Sequence, residues 1–144
     1  MDDPSDPHDL QRFVEAQSPV ISQVKSELRS GRKRTHWMWF VFPQVAGLGS
    51  SRLARRYAIG SREEAVAYAG HPVLGTRLRE CTALVNGIEG RSAAEVFGSP
   101  DDLKFRSSMT LFAAVAAEPT PFETALERYY DGERDETTIG FLSE

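Results

Sequence analysis

The sequence predicts an all-α fold, a compact single domain of about seven or eight short helices, and three observations support this prediction. The length of 144 residues is that of one domain. Residues that begin and end helices recur along the chain, whereas the alternation and turn patterns of a β-sheet do not. Between these signals, apolar residues are spaced three and four apart, as on one face of a helix.

Prolines and capping residues mark the predicted helix starts. Five prolines follow a residue that can begin a helix, and proline at the first helical position loses no hydrogen bond. Three capping boxes, in which a hydroxyl and a carboxylate three residues later bind the first free amides, indicate further starts. The prolines are Pro7, Pro19, Pro72, Pro100 and Pro121, and the boxes are Ser61 with Glu64, Ser92 with Glu95, and Thr120 with Glu123.

The predicted domain covers residues 6–144, and residues 1–5 are predicted to be disordered. Residues 36–43 are aromatic and β-branched, but a lone strand would leave its amides unpaired. We therefore predict an irregular or short helical segment there, inserted into the core through its aromatic side chains. The helix after Pro100 is apolar around most of its circumference, which predicts a central, buried helix. In order, the predicted helices cover residues 7–17 and 19–30, which are two helices or one helix kinked at Pro19, and then residues 52–59, 62–69, 72–86, 93–97, 100–117, 121–130 and 136–142, of which 93–97 is a single turn.

Composition excludes several classes of protein. Hydrophobic residues make up 40% and charged residues 26%, as in soluble globular proteins. The longest uncharged run, residues 35–51, is interrupted by Pro43 and by glycines, so no membrane-spanning helix is predicted. The acidic start does not resemble a secretion signal, and the single cysteine, Cys81, cannot form an internal disulfide; both favour a cytoplasmic protein. Three histidines without metal-binding spacing predict neither a metal nor a cofactor.

Charge is distributed unevenly, although the net charge is −4. Nine basic residues and one acid, Glu27, lie between Lys25 and Arg62, whereas the last 27 residues hold eight acids and two arginines. This asymmetry would attract an anionic ligand to one face, or it would provide complementary surface ion pairs. The acidic total disfavours nucleic acid as a partner. The nine basic residues are Lys25, Arg29, Arg32, Lys33, Arg34, Arg52, Arg55, Arg56 and Arg62.

Two segments in the first half of the chain carry candidate ligand-binding residues. In one interpretation the aromatic segment forms a pocket wall, with flat faces for stacking and polar residues at its flanks; in the other it is ordinary core. The glycine-serine loop at 47–51 precedes a basic helix and also has two interpretations. Either its backbone amides and an arginine of that helix bind an anion, or its serines only cap the helix. The residues assigned to the ligand are His36, Trp37, Gln44, Ser50, Ser51 and Arg52.

The polar start of the central helix supplies the remaining candidates. Asp101, Lys104 and Ser108 follow one another at spacings of three and four, which align them on one helix face. Lys104 and Ser108 are assigned to ligand binding. A desolvated lysine between a carboxylate and a hydroxyl is also a starting point for acid–base chemistry, which makes Asp102 and Lys104 speculative catalytic residues. The alternative is structural, with carboxylates at a helix start and hydroxyls bonded to carbonyls one turn earlier.

The string His36-Trp-Met-Trp-Phe-Val-Phe-Pro-Gln44, together with Gly47-Leu-Gly-Ser-Ser51, Gly90-Arg-Ser92 and residues 101–112, resembles the bacterial family known as domain of unknown function 1810. The similarity extends from about residue 6 to residue 142. It implies a bacterial protein with a compact multihelical fold, and it implies no established activity. Some members carry the label calpastatin, which does not fit this chain, because calpain inhibition belongs to long, disordered, polar chains.

The leading hypothesis is therefore a helical domain that binds a small anionic ligand, nucleotide- or sugar-phosphate-like. Hydrolase or transferase activity is an open extension of this hypothesis, and the sequence does not decide whether the chain is an enzyme. The competing hypothesis is a non-enzymatic interaction module whose basic face, between Lys25 and Arg62, docks a protein partner. The leading hypothesis requires that the aromatic segment, the glycine loop and the polar start of the central helix meet around one cavity.

Overall fold

A computed structural model describes residues 5–143, which form ten α-helices around one hydrophobic core. The all-α prediction is confirmed, and the structure has more helices than the seven or eight predicted, because residues 7–30 form two separate helices and the aromatic segment adds a helix of four residues. Within the described residues, no helix is long and apolar enough to cross a bilayer. The predicted disorder of residues 1–5 falls outside the described part of the chain except for Ser5, which lies in a turn. The helices are α1 (Gln11–Gln17), α2 (Ile21–Arg29), α3 (Met38–Val41), α4 (Arg52–Arg56), α5 (Arg62–Gly70), α6 (Leu74–Asn86), α7 (Ala93–Phe97), α8 (Asp101–Val115), α9 (Thr120–Tyr130) and α10 (Glu136–Leu142).

Helix α8 is the central helix, as its apolar sequence predicts. It contacts α5, α7, α9 and α10, and most of its residues from Phe105 to Phe112 are buried. A helix with neighbours on several sides is buried around most of its circumference, which explains why apolar residues occur on all sides of it and why its buried polar residues are small. Leu103, predicted to share in this burial, is instead half exposed at the start of the helix.

The aromatic segment is short and helical over α3, as predicted, and irregular on either side. Phe42, at its end, packs its ring edge-on against Phe105 of α8 at a centroid distance of 4.9 Å. The carbonyl of Phe40 accepts a 2.6 Å hydrogen bond from the side-chain amide of Gln17, which also donates to the hydroxyl of Tyr68 at 2.9 Å. These buried contacts fix the segment between α1, α5 and α8.

The predicted capping boxes are confirmed to different extents. The box of Ser92 and Glu95 is complete at the start of α7. At the start of α5, the hydroxyl of Ser61 accepts from the amide of Glu64, but the carboxylate of Glu64 does not return to Ser61. It binds the amide of Gly60 at 2.9 Å and the guanidinium of a residue far along the chain, Arg12, at 2.7 Å. The contact from Glu64 back to Ser61 that would complete the capping box is therefore replaced by a long-range ion pair with Arg12.

The predicted helix starts at the five prolines are all displaced from the observed first helical residues. Helix α9 begins at Thr120 itself, and no side chain caps it, so the predicted box with Glu123 is absent. Four of the five prolines precede their helices instead of occupying the first helical position, and Pro121 alone among the five lies inside a first turn. Regions of helix follow from local signals, whereas their exact first residues depend on the surrounding contacts.

Candidate functional site

The carboxylate of Glu27 on α2 fixes the loop that leads into the aromatic segment. Glu27 is 2% exposed and accepts hydrogen bonds at 2.6 Å and 3.0 Å from the amides of Arg34 and Thr35. The Thr35 hydroxyl at 2.6 Å, the Trp37 indole at 3.0 Å and the Gln23 amide at 3.0 Å complete the set. Burial alone would raise the pKa of Glu27, but these hydrogen bonds outweigh it and lower the pKa to about 2. The carboxylate is therefore charged and held entirely by uncharged donors.

A second carboxylate, Asp101 at the start of α8, joins two lysines of distant sequence position. Its two oxygens lie 2.9 Å from Nζ of Lys33 and 2.8 Å from Nζ of Lys104. The Lys104 ammonium lies 4.0 Å from the ring centroid of Trp39, and the Lys33 ammonium lies 5.4 Å from that of Trp37. Burial would raise the pKa of Asp101, but hydrogen bonds from Lys104 and Lys33 lower it. Two positive charges and one negative charge leave this cluster, here called the lysine pair, with a positive excess.

Trp39 is the point at which the three segments singled out by the sequence meet. Lys104 of α8 lies on its ring, and a Cβ atom added to Gly49 would lie 3.6 Å from the edge of that ring. Gln44 and Gly47 line the same small space beside Trp39. That space has a volume of about 10 Å³, which is room for about one water molecule. The predicted convergence is present, but the cavity that it was expected to surround is not.

The glycine-serine loop ends in a helix cap. The hydroxyl of Ser51 accepts a 3.1 Å hydrogen bond from the amide of Ala54, so the capping interpretation holds for Ser51. Ser50 and Arg52 on either side are exposed. Among the described residues, Arg52 and its neighbour on the next turn, Arg55, have no carboxylate within 4.0 Å. The helix that follows this loop therefore carries unpaired positive charge, a few residues from Gly49, which lies beside Trp39.

The remaining predicted ligand residues divide into exposed and buried ones. His36 is exposed and Gln44 is half-buried, so both are within reach of a ligand on this surface. Trp37 is 1% exposed and Ser108 is fully buried, so neither is accessible to a ligand in this conformation. Trp37 instead binds Glu27 through its indole. The hydroxyl of Ser108 has no hydrogen-bond partner within the described part of the chain.

The two speculative catalytic residues are not brought together. Residues two apart on a helix point to different sides, and here Lys104 binds Asp101 and Trp39. Asp102 lies beside α9, where its backbone carbonyl accepts the hydroxyl of Tyr130. Burial, and next the charge of Asp102, raise the pKa of that tyrosine. Acid–base chemistry shared by Asp102 and Lys104 has no geometric support.

Three residues of this surface were not among the predicted ligand residues: Lys33, Trp39 and Asp101. Lys33 appeared only as one of nine basic residues, and its partner is 68 positions away. The aromatic segment as a whole is open to a pocket-wall or a core interpretation, and the two-residue offset from the buried Trp37 places Trp39 on another side of a short helix. Asp101 is predicted to share a helix face with Lys104 but is not assigned to the ligand. The alternation of the two tryptophans and the spacing of Asp101 and Lys104 are therefore the signals that the sequence offers.

Comparison with known proteins gives a family and a fold. The family model described as "Protein of unknown function (DUF1810)" matches residues 7–142, which is nearly the whole chain. The crystal structure of the conserved hypothetical protein Rv1873 from Mycobacterium tuberculosis is similar throughout, with 58% sequence identity and a TM-score of 0.95. The match covers 96% of this chain and 99% of that protein. No curated protein sequence matches the chain.

Proposed function

This chain is a member of the DUF1810 family, and on that premise we propose that it binds a small anionic ligand, one that carries a phosphate group, on the surface around Lys104. The observation that carries the proposal is the position of the Lys104 ammonium. It lies 2.8 Å from Asp101 and 4.0 Å from the ring centroid of Trp39, at the junction of the aromatic segment, the glycine loop and α8. One ammonium group supplies three donors, so Lys104 retains donors for a ligand while it is held by Asp101.

Charge and exposure on this surface support the same ligand class. The lysine pair has a positive excess, and the aromatic segment and the glycine loop that meet Lys104 at Trp39 are flanked by exposed side chains with donors, those of His36, Ser50 and Arg52. The ligand would lie on the surface rather than inside the protein, because the enclosed space beside Trp39 holds about one water molecule. Binding to exposed charges is screened by salt, so the affinity is expected to fall as ionic strength rises.

Substitution of Lys104 tests this proposal. The melting temperature would be measured with sodium pyrophosphate, with adenosine monophosphate and with adenosine, all at one ionic strength. Both phosphates are expected to raise it and adenosine is not. Lys104→Met is expected to weaken the response at least about tenfold, since hydrogen bonds to charged groups contribute about 1.5–3 kcal/mol.

Lys25→Met is the matched control for this experiment. It removes the same charge from an exposed ion pair with Glu80, and it is expected to leave the phosphate response unchanged. If neither phosphate raises the melting temperature of the unsubstituted protein, or if Lys104→Met responds as the unsubstituted protein does, the proposal is wrong. Circular dichroism of both variants would confirm that they fold.

One observation favours the competing function, an interaction module for an acidic protein. Four exposed arginines, Arg32, Arg34, Arg52 and Arg55, have no carboxylate within 4.0 Å among the described residues. Exposed arginines that have no carboxylate partner of their own are well suited to recognise an acidic protein. Arg52→Glu together with Arg55→Glu would abolish such docking, whereas Lys104→Met would hardly change it. Loss of binding in Lys104→Met would therefore indicate the phosphate site, and loss of binding in the double arginine variant would indicate docking of an acidic protein.

A further inference from the structure

We propose a second ligand site, independent of the lysine pair: the cleft between the α5–α6 turn and the α8–α9 turn binds a small molecule with an apolar body and one carboxylate. The cleft has a volume of about 490 Å³, within the range of about 300–1,000 Å³ that is typical of small-molecule sites. His71 and Arg79 are on one side of it and Glu118 is at the α8–α9 turn. None of these three residues belongs to the surface around Lys104.

The inner part of the cleft is apolar. Leu78 of α6 and Phe122 of α9 form part of its lining, and both are almost completely buried. Val66 of α5 also lines the cleft and is 50% exposed, which leaves an apolar side chain at the edge of the opening. Apolar surface of this kind gains free energy when a hydrocarbon body covers it.

Gly75 allows two helices that line the cleft to approach each other closely. A Cβ atom at Gly75 would lie 2.2 Å from the carbonyl oxygen of Ala69, so α6 and the end of α5 approach backbone to backbone. Gly75 also lines the cleft. A larger residue would push the two helices apart and change the shape of the cleft.

Two hydrogen-bond donors face this cleft from the α6 side. Nδ1 of His71 accepts from the amides of Val73 and Leu74 at 3.1 Å and 3.2 Å. In neutral histidine the proton is then on Nε2, which has no partner among the described residues and is free to donate. Arg79 makes one side-chain hydrogen bond in the described part of the chain, at 3.5 Å to Thr76, and has no carboxylate within 4.0 Å. A guanidinium with free donors next to an N–H group matches the acceptors of a carboxylate.

The opposite side of the cleft limits the charge of the ligand. Glu118, at the α8–α9 turn, has no cation within 4.0 Å among the described residues, so its charge is unbalanced. Helices α5 and α8 also end at the cleft, and the carbonyls at a helix C-terminus carry partial negative charge. Repulsion by these groups grows with the charge of the ligand, so a phosphate with two negative charges is disfavoured more than a carboxylate with one. The cleft is therefore better suited to a monocarboxylate than to the phosphate proposed for the surface around Lys104.

Nuclear magnetic resonance titration of the full chain tests this inference. The ligands would be phenylacetate, 3-phenylpropionate and hexanoate, each compared with its uncharged amide, and benzyl phosphate. The three acids are expected to shift the backbone N–H signals of the two turns. Their uncharged amide derivatives and benzyl phosphate are expected to bind at least tenfold more weakly. If no acid shifts these signals, or if an amide binds as tightly as its acid, the inference is wrong.

Three variants assign the polar contacts. Arg79→Met is expected to weaken the binding of acids at least tenfold, whereas Arg62→Met, which removes an exposed arginine elsewhere on α5, leaves it unchanged. His71→Asn keeps an acceptor for the two α6 amides but removes the Nε2 donor, and is expected to weaken binding less than Arg79→Met. Glu118→Gln is expected to admit benzyl phosphate. Equal binding by Arg79→Met and Arg62→Met would overturn the assignment, and Lys104→Met is expected to have no effect on any of these ligands.

Discussion

Glu27 and Asp101 both hold the segment from Lys33 to Trp39, but by different means. Glu27 is buried and bound by five uncharged donors, most of them close to it in sequence. Asp101 is partly exposed and bound by two ammonium groups, one of them from a distant loop. A carboxylate surrounded by fixed neutral donors is a structural anchor, because its oxygens already accept hydrogen bonds from the protein. A carboxylate outnumbered by lysines leaves positive charge for a ligand.

The two tryptophans follow the same division. The Trp37 indole is enclosed and donates to Glu27. The Trp39 ring is half-buried, with the Lys104 ammonium on its face. Two identical side chains, two positions apart, thus serve stability in one case and the candidate binding surface in the other. The comparison predicts that substitutions at the Glu27 site change stability, and that those at the Asp101 site change binding.

The largest effect is expected from Glu27→Ala. It would leave the amides of Arg34 and Thr35 and the indole of Trp37 without their acceptor, in a buried site. Each unsatisfied buried donor costs about 1–3 kcal/mol, so we expect a loss of about 4 kcal/mol in the free energy of unfolding, measured in urea. Glu80→Ala, which removes an exposed carboxylate from a surface ion pair, is the control and is expected to change stability by less than about 1 kcal/mol. Equal effects of the two substitutions would contradict the structural role of Glu27.

Acid is expected to remove the contribution of Glu27 without any substitution. Its pKa is about 2 in the folded protein and 4.5 ordinarily, so the folded state favours the charged form. A lowered pKa stabilises the fold fully above pH 4.5, and this contribution is lost as the pH falls from 4.5 towards 2. The difference corresponds to about 3 kcal/mol. Urea unfolding between pH 5 and pH 2.5 measures this loss in the free energy of unfolding. Glu27→Gln, which cannot titrate, should lose less stability over the same pH range. An equally steep loss in Glu27→Gln would exclude Glu27 as the cause of the pH dependence.

The fold could be predicted because its signals are local. The box of Ser92 and Glu95 involves residues three apart, and the helix that it starts was found where the sequence placed it. Where a distant residue intervenes, the local prediction fails, as when Arg12 takes the carboxylate of Glu64 away from the expected cap. The helix still forms where it is predicted when its cap is incomplete, because the spacing of its apolar residues also favours a helix there.

The candidate site could be predicted only in part, because its contacts join distant positions. The sequence indicated the aromatic segment, the glycine loop and Lys104, and these do meet at Trp39. It gave no signal that Asp101 would pair with Lys33, since no local pattern encodes a contact across 68 positions. It also gave no measure of the space enclosed, which depends on how completely side chains fill the junction.

An intermediate effect is expected from removing one indole at a time. Trp37→Phe keeps an aromatic ring in the core but leaves the Glu27 carboxylate with one donor fewer, and we expect a loss of about 2 kcal/mol in the free energy of unfolding. Trp39→Phe weakens only a cation–π contact at the surface, worth about 0.5–1 kcal/mol. Urea unfolding of the two variants compares these costs directly. A larger loss for Trp39→Phe would reverse the division between the two tryptophans.

The smallest effect on stability, and the sharpest contrast, is expected from Asp101→Asn. An amide keeps an acceptor for the lysines but not the charge, so stability should fall by less than about 1 kcal/mol, as for partly exposed ion pairs. Binding of pyrophosphate should at the same time become tighter, because Lys33 and Lys104 are no longer neutralised by a carboxylate and the net positive charge of the surface rises by one. Isothermal titration calorimetry at low salt measures this gain, and Lys104→Met combined with Asp101→Asn should abolish it. Removing the charge of a structural anchor such as Glu27 is expected to lower stability without tightening the binding of pyrophosphate. If Asp101→Asn binds pyrophosphate more weakly, Asp101 is a structural anchor as well.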